Sequence, residues 1–268
     1  MIKIDHSLSS IEEAPGLAAE RLEKIRALLK ARRILRVDEM TAALGVSPAT
    51  IRRDLVELEK LGQLERVHGG AVSLFDSRMD EPLFDDKTAL AVAEKQRIAE
   101  AALAYIKPSD SIFLDGGSTV LALARLLTHM NSLTVVTNSL RVATLYAAAG
   151  PHMILTGGEV RRLSQTMVGP TTRPLLDQLH VDTAFMGTIG LSPEAGLTTT
   201  DPREAQTKAM VMAQARQVVL LADSSKINKV SFVKFGTLPQ VQVLITDTGA
   251  DAAMLRNFRK QGVKTIIV

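Results

Sequence analysis

The chain has 268 residues, with 32 basic and 29 acidic side chains for a formal net charge of +3. That length favours two domains, because single cores seldom grow far past about 250 residues. Zero Cys excludes a disulfide scaffold, a thiolate metal site and a cysteine nucleophile, and 3% aromatic content argues against a base-stacking surface for single strands.

Residues 1–16 lack caps and periodicity and read as a loose arm, in which Asp5, Glu12 and Glu13 interrupt any signal-like apolar run. The longest uncharged stretch, 142–158, holds Gly150, Pro151 and His152 and is no membrane span, so a cytoplasmic protein is expected. From Leu17 to about Leu61 the periodicity is helical. Leu22, Ile25, Leu28 and Leu29 mark one face of a first helix. A short second helix follows, with Asp38 as its cap, Met40, Ala43 and Leu44 facing inward and Gly45 closing it. Ser47-Pro48 starts a third helix after a sharp turn, Ser47 as N-cap and Pro48 at the first helical position. Ile51, Leu55, Leu58 and Leu61 form its buried stripe, which turns Thr50, Arg52, Arg53 and Glu57 outward in helix-turn-helix geometry. Gly62 can close that helix. Strands over 63–67 and 71–74, joined by His68-Gly69-Gly70, add a wing. Such a helix can enter a major groove, where Arg52 or Arg53 reaches a guanine edge and Thr50 a phosphate or thymine methyl. His68 at the hairpin tip either touches DNA or is a turn residue without a role.

The run 21–72 carries Ala42-Ala43-Leu44-Gly45-Val46-Ser47, Thr50-Ile51-Arg52-Arg53-Asp54-Leu55 and Arg66-Val67-His68-Gly69-Gly70-Ala71. It resembles the DNA-binding domain of the DeoR family of bacterial transcription regulators. The resemblance puts Thr50, Arg52 and Arg53 in the recognition helix, and the DNA-binding set is expected to be Ser47, Thr50, Arg52, Arg53 and His68. Asp54 is taken as structural, since an acid beside phosphates is repelled unless an arginine pairs with it.

A winged helix-turn-helix domain is therefore placed over 17–74 and a linker over 75–89, where Asp76, Ser77, Arg78, Asp80 and Pro82 break the apolar pattern. An α/β domain follows over 90–268. One helix over 87–106 is expected to join the halves and end before Pro108. Beyond it, apolar strands alternate with helices and end in polar or glycine residues. The strand over 111–115 runs into Gly116-Gly117-Ser118-Thr119 and a helix, 133–137 into Asn138-Ser139, and 152–156 into Gly157-Gly158-Glu159. The strand over 183–186 runs into Gly187-Thr188, 218–222 into Asp223-Ser224-Ser225-Lys226, and 243–246 into Asp247.

In an open, mostly parallel sheet those carboxyl ends form the ligand crevice. Gly116-Gly117-Ser118-Thr119 is either an anion site, with free amides and the helix dipole aimed at the turn, or a glycine turn that serves packing. No Gly-Lys pair makes it a Walker loop, and it is no G-x-G-x-x-G fingerprint. Lys226 is the natural counter-charge for a phosphate, and Asp115, Asn138 or Glu204 can accept from sugar hydroxyls. Alternatively Asp223 and Ser224 cap a helix, and Lys208 forms an ordinary i,i+4 pair with Glu204.

The stretch from about Leu90 to Asp247 resembles the effector-binding domain of the same family, on Asp115-Gly116-Gly117-Ser118-Thr119, Thr137-Asn138, Gly157-Gly158, Glu204 with Lys208, and Ala222-Asp223-Ser224-Ser225-Lys226. That domain is similar in fold to ribose phosphate isomerases. The resemblance implies a phosphorylated sugar or polyol effector, held by Asp115, Gly116, Gly117, Ser118, Thr119, Asn138, Gly157, Glu204, Lys208 and Lys226, that changes affinity for a double-stranded operator. It also implies a repressor of sugar catabolism. A sugar-phosphate isomerase with an accessory DNA-binding domain is the alternative. Those isomerases carry a Gly-Ala-Asp-Glu segment where this chain has Gly187-Thr188-Ile189-Gly190, leaving only Glu204 as a substitute base, so no enzyme is expected. His6, His68, His129, His152 and His180 are scattered, so neither a metal nor a covalent cofactor is expected. One winged helix offers little contact, so a homodimer or homotetramer is expected.

Overall fold

The computed structural model describes residues 15–32, 34–61, 63–67, 69–73, 81 and 84–268. The chain divides into two compact units, Met1–Ser77 and Arg78–Val268.

The first unit runs α1 (Pro15–Ala31), β1 (Ile34–Arg36), α2 (Val37–Leu44), α3 (Pro48–Lys60), β2 (Leu64–Val67) and β3 (Gly70–Ser73). Helix α1 thus starts within the stretch expected as a loose arm, whose residues 1–14 lie outside the described ones. Leu22, Ile25 and Leu29 of α1 pack with Met40 of α2 and with Ile51, Leu55 and Leu58 of α3. Helix α2 begins one residue before the expected cap Asp38. Its first amide is instead held by Glu39, whose carboxylate accepts from Arg36 N at 2.8 Å, and it ends at the left-handed Gly45 (φ 68°). Ser47 caps α3, its Oγ accepting from Thr50 N at 3.2 Å, with Pro48 in the first turn.

Two residues expected inside lie outside. Ala43 is exposed, and Leu61 is 57% exposed because it follows the last helical residue, where the α3 stripe no longer directs it inward. The wing has three strands rather than two, in the antiparallel order β1-β3-β2. At Gly70 a Cβ would lie 2.3 Å from the Leu35 carbonyl oxygen, so only glycine lets β1 and β3 close. Gly62, His68 and Leu74, expected at the helix end, the hairpin tip and the last strand, lie outside the described residues.

The second unit opens with α4 (Phe84–Ala89) and α5 (Val92–Ala102). These replace the single helix expected over 87–106. The chain breaks at Leu90 and Ala91, the latter left-handed with φ 50°. Phe84–Ala89, the last part of the stretch expected as linker, is helical, with Phe84 buried in the core.

There follow β4 (Ser111–Leu114), α6 (Ser118–Leu126), β5 (Thr134–Thr137), α7 (Leu140–Tyr146), β6 (His152–Leu155), β7 (Glu159–Arg161), β8 (Thr166–Val168) and α8 (Arg173–Leu176). Then come β9 (Val181–Met186), β10 (Gly190–Ser192), β11 (Gly196–Thr199), α9 (Pro202–Gln214), β12 (Ala215–Leu221), β13 (Val233–Gly236), β14 (Val243–Thr246), α10 (Ala252–Lys260) and β15 (Lys264–Ile267). Seven of these strands form one sheet in the order β15-β14-β12-β9-β4-β5-β6, and every pairing within it is parallel.

Helices cover both faces, which is why its strands are continuous apolar runs. Ile112 and Leu114 pack on the side of α5 and α6, while Phe113 between them joins Met212 of α9 and Phe258 of α10 on the other. From β4 the chain winds outward through β5 and β6, then returns to β9 on the opposite side of β4. The carboxyl ends of β4 and β9 are therefore the switch point where an open sheet of this kind leaves a crevice. A hairpin of β7 and β8 and a small antiparallel sheet, β10-β11-β13, flank it. Among the described residues, no helix is long and apolar enough to cross a membrane.

Candidate functional site

A pocket lies at this switch point. Asp115, Gly116, Gly117, Ser118 and Thr119 line it after β4, Asn138 after β5, Gly187 and Thr188 after β9, and Asp223, Ser225 and Lys226 after β12. Helix α9 contributes Glu204 and Lys208. Of the effector residues expected from sequence, only Gly157 is not among the residues that line the pocket.

The buried Asp115 carboxylate ties β4 to β9, pairing with Lys208 and accepting from Gly187 N at 2.9 Å. Lys208 also donates to Gly187 O at 3.1 Å. The ordinary helix pair between Lys208 and Glu204 is thus not what forms. Glu204 instead accepts from Thr166 Oγ1 at 2.9 Å, Thr199 Oγ1 at 3.2 Å and Arg161 Nη1 at 3.4 Å. Three donors fix this side chain in place as an acceptor. The turn after β9 carries Gly187, Thr188, Ile189 and Gly190, with no acid. Asp223 does cap the short turn that follows it, accepting from Ser225 N at 3.1 Å.

One wall of the pocket escaped the sequence reading. Glu81, Lys87, Leu90, Ala91 and Lys95 line it, as do Ser164 and Thr166 from the β7–β8 hairpin. A Cβ on Gly116 would sit 2.0 Å from Thr166 Cγ2, so glycine is what lets the hairpin close over the turn. Glu81 is buried and accepts from Lys87 Nζ at 2.6 Å, from Arg161 Nη2 at 2.8 Å and from Thr200 Oγ1. Burial pushes its carboxyl up, but Lys87 and Arg161 outweigh this and hold it below the ordinary range. The signal for Lys95 was present in the sequence. It takes the first place of the buried stripe Lys95, Ile98, Ala99 and Ala102, spaced i, i+3, i+4 and i+7, where a lysine needs a reason. Glu81 had no such signal, since it sits in a polar stretch without periodicity.

The cations of the pocket are not equally matched. Lys87 and Lys208 have carboxylates. Among the described residues Lys95 donates only to the carbonyls of Lys87 and Leu90, the second at 2.6 Å; burial lowers its pKa, the attraction of Asp223 opposes this, and repulsion from Lys226 and then Lys87 adds to the lowering. The Lys226 side chain has no hydrogen-bond or ion-pair partner among the described residues. Nearby, α6 starts after Gly117 with no side chain capping its first amides, and buried Asn138 Oδ1 has no hydrogen-bond partner. Two ammonium groups, open helix amides and a ring of hydroxyls and acceptors suit a ligand with one anionic group and several hydroxyls.

In the first unit, Arg52 and Arg53 are exposed on α3, and neither side chain has a partner among the described residues. Ser47 Oγ lies 2.9 Å from Thr50 Oγ1, so these two hydroxyls hold the start of the helix. Asp54 is buried, accepting from Arg21 Nε at 2.6 Å and Nη2 at 3.1 Å, which fixes α3 against α1. His68 lies outside the described residues.

Comparison with known proteins gives a match to the DeoR-like helix-turn-helix domain over residues 21–76 and to the DeoR C terminal sensor domain over residues 90–248. The chain is similar to the HTH-type transcriptional regulator GlpR of Haloferax volcanii, at 36% identity over 93% of this chain and 98% of that protein. It is also similar to the lactose phosphotransferase system repressor of Streptococcus mutans, at 37% identity over 87% of this chain and 93% of that one. Among solved structures, a ribose 5-phosphate isomerase from Methanocaldococcus jannaschii is 21% identical, with a TM-score of 0.37 over 50% of this chain and 53% of that chain.

Proposed function

The chain belongs to the DeoR family of DNA-binding transcription regulators, and from that premise we propose that it represses a sugar-catabolism operon in the cytoplasm, its hold on the operator set by a phosphorylated sugar or polyol. In the first unit, α3 enters the major groove and Arg52 and Arg53 supply its contacts, with Ser47, Thr50 and His68 as the further DNA-binding residues. In the second, the phosphate lies on the Gly116-Gly117-Ser118-Thr119 turn opposite Lys226. Asp115, Asn138, Glu204 and Lys208 set the polar wall that meets the sugar hydroxyls, and Gly157 is left outside. Copies of the chain pair to read spaced half-sites.

The observation that carries this reading is the presence of Lys95 and Lys226 in the same pocket as the open α6 amides, neither in an ion pair among the described residues. It favours an anion over a neutral sugar. The lack of an acid after β9 and the commitment of Glu204 to three donors support a sensor over an isomerase.

A thermal-shift screen of sugar phosphates, polyol phosphates and free sugars tests it, each hit then being assayed on the DNA upstream of this protein's own gene. A true effector at a hundredfold excess over its Kd stabilises by about 2.7 kcal/mol, roughly 5–10 °C, and changes DNA affinity. Hits confined to free sugars would contradict the phosphate site. A phosphorylated hit that stabilises the protein but leaves DNA binding unchanged would support the isomerase instead.

A further inference from the structure

Lys95 does two things in the pocket. Its ammonium closes the end of α4 by donating to the carbonyls of Lys87 and Leu90, and it shares the pocket with Asp223, which attracts it without an ion pair, and with Lys226, which has no partner among the described residues and repels it. Helix α4 is six residues, too few to hold a helix unaided, so its C-terminal end relies on this contact while buried Phe84 and the Lys87–Glu81 pair hold the rest; two residues beyond it, Ala91 is left-handed. From α4 the chain of contacts continues outward. Lys87 pairs with Glu81, and Glu81 accepts from Arg161 and Thr200. Glu81 stands eight residues after Ser73, the last residue of β3. Lys95, which has no ion pair among the described residues, thus supports α4 and, through Lys87, the Glu81 anchor.

We propose that Lys95 is the relay of the sensor: an anionic group seated between Lys226 and the α6 amides draws the Lys95 ammonium to itself, the carbonyls of Lys87 and Leu90 lose their donor, and α4 loosens together with the Glu81 anchor. This rests on the anion-binding reading of the pocket. The exchange is favourable because an ionised oxygen is a stronger acceptor than two carbonyls, and because an anion between Lys95 and Lys226 turns their repulsion into a shared attraction. Lys226 binds without relaying, since no backbone carbonyl depends on its side chain. Ligand occupancy is in this way converted into the order of one short helix.

Hydrogen exchange of the full-length protein in millimolar inorganic phosphate, against chloride of matched ionic strength, tests the relay. Phosphate is expected to protect the amides of residues 117–120 and to speed exchange over 84–90 about threefold or more. Lys95→Met is expected to show fast exchange over 84–90 already in chloride, with nothing added by phosphate, and Lys226→Met to raise the phosphate concentration needed for both changes. Protection at 117–120 with unmoved exchange over 84–90 would overturn the relay and leave the anion site standing, as would a Lys95→Met protein that responds like the wild type. Phosphate without effect on 117–120 would remove the anion site and the relay together. If Lys95→Met does not fold, the wild-type comparison alone decides.

Discussion

Arg52 and Arg53 spend nothing on the described fold, for both are exposed and without a partner among the described residues, beside the buried Asp54–Arg21 bridge. Replacing either with Ala should leave the urea midpoint unchanged. If it reads a base, the loss is about 1–3 kcal/mol at the operator with relaxed specificity at one position, and a uniform loss on all DNA marks a phosphate contact instead. Asp201 behaves oppositely, with its charge wholly committed to the fold. It caps α9, accepting from Arg203 N at 2.8 Å, and pairs with Arg161 at 3.1 Å. Burial pushes its carboxyl up, but the hydrogen bonds from Arg203 and the charge of Arg161 bring it down to about 2 from an ordinary 3.8. A folded value below the unfolded one means stability that is complete above about pH 4 and lost as the pH falls towards 2. Urea midpoints taken across that window should fall more steeply for the wild type than for Asp201→Asn, by about 1 kcal/mol after solvent screening.

Among the elements, those buried on two sides were legible and those shaped by one contact were not. Six of the seven parallel strands announce themselves as apolar runs, and α3 does so because Ser47-Pro48 and the Ile51, Leu55, Leu58 stripe agree, whereas the edge strand β15, which opens on Lys264-Thr265 and is exposed at both ends, was not read. Strand β1 is three residues with one buried side chain, and β10 and β11 are short and rich in Gly, Ser and Thr, so none shows a period. The break between α4 and α5 was illegible for another reason. Leu90 and Ala91 are good helix formers, and at the interruption the carbonyls of Lys87 and Leu90 accept from the Lys95 side chain, a contact that propensity does not announce. An αL alanine costs about 1 kcal/mol that glycine avoids, while glycine loses a similar amount in backbone entropy. Ala91→Gly should therefore move the urea midpoint little, whereas Ala91→Pro, whose ring cannot take a φ of 50°, should loosen the α4 wall and show fast exchange over 84–90 already in chloride, with phosphate protection at 117–120 retained. In the wing, Gly70→Ala forces a Cβ onto the Leu35 carbonyl and should part β1 from β3. Operator binding is expected to fall while phosphate binding in the second unit survives, and equal loss of both would show that the substitution unfolds the chain as a whole.

For the molecule as a whole, the net charge of +3 hides a partition: residues 17–72 hold 11 basic and 8 acidic side chains, while residues 73–268 hold 20 and 18 over a much longer stretch. The excess sits in the winged module, on residues 17–36 rather than on α3, where three basic and three acidic side chains cancel; it is small, and this sets how DNA affinity must respond to salt. Each neutralised phosphate contributes about 0.9 to the slope of log affinity against log salt. One winged helix making about three phosphate contacts would lose roughly 40-fold between 50 and 200 mM salt, and two acting together, with about six, roughly 2000-fold. Operator titrations across that range, paired with sedimentation of the free protein, separate the two. A drop near three orders of magnitude from a dimer or tetramer is the expected outcome, because so modest a charge on one unit cannot hold a selective site against competing DNA. A monomer that binds the operator with the shallow slope would mean that α3 reads its site alone, and the paired-unit arrangement would then be wrong.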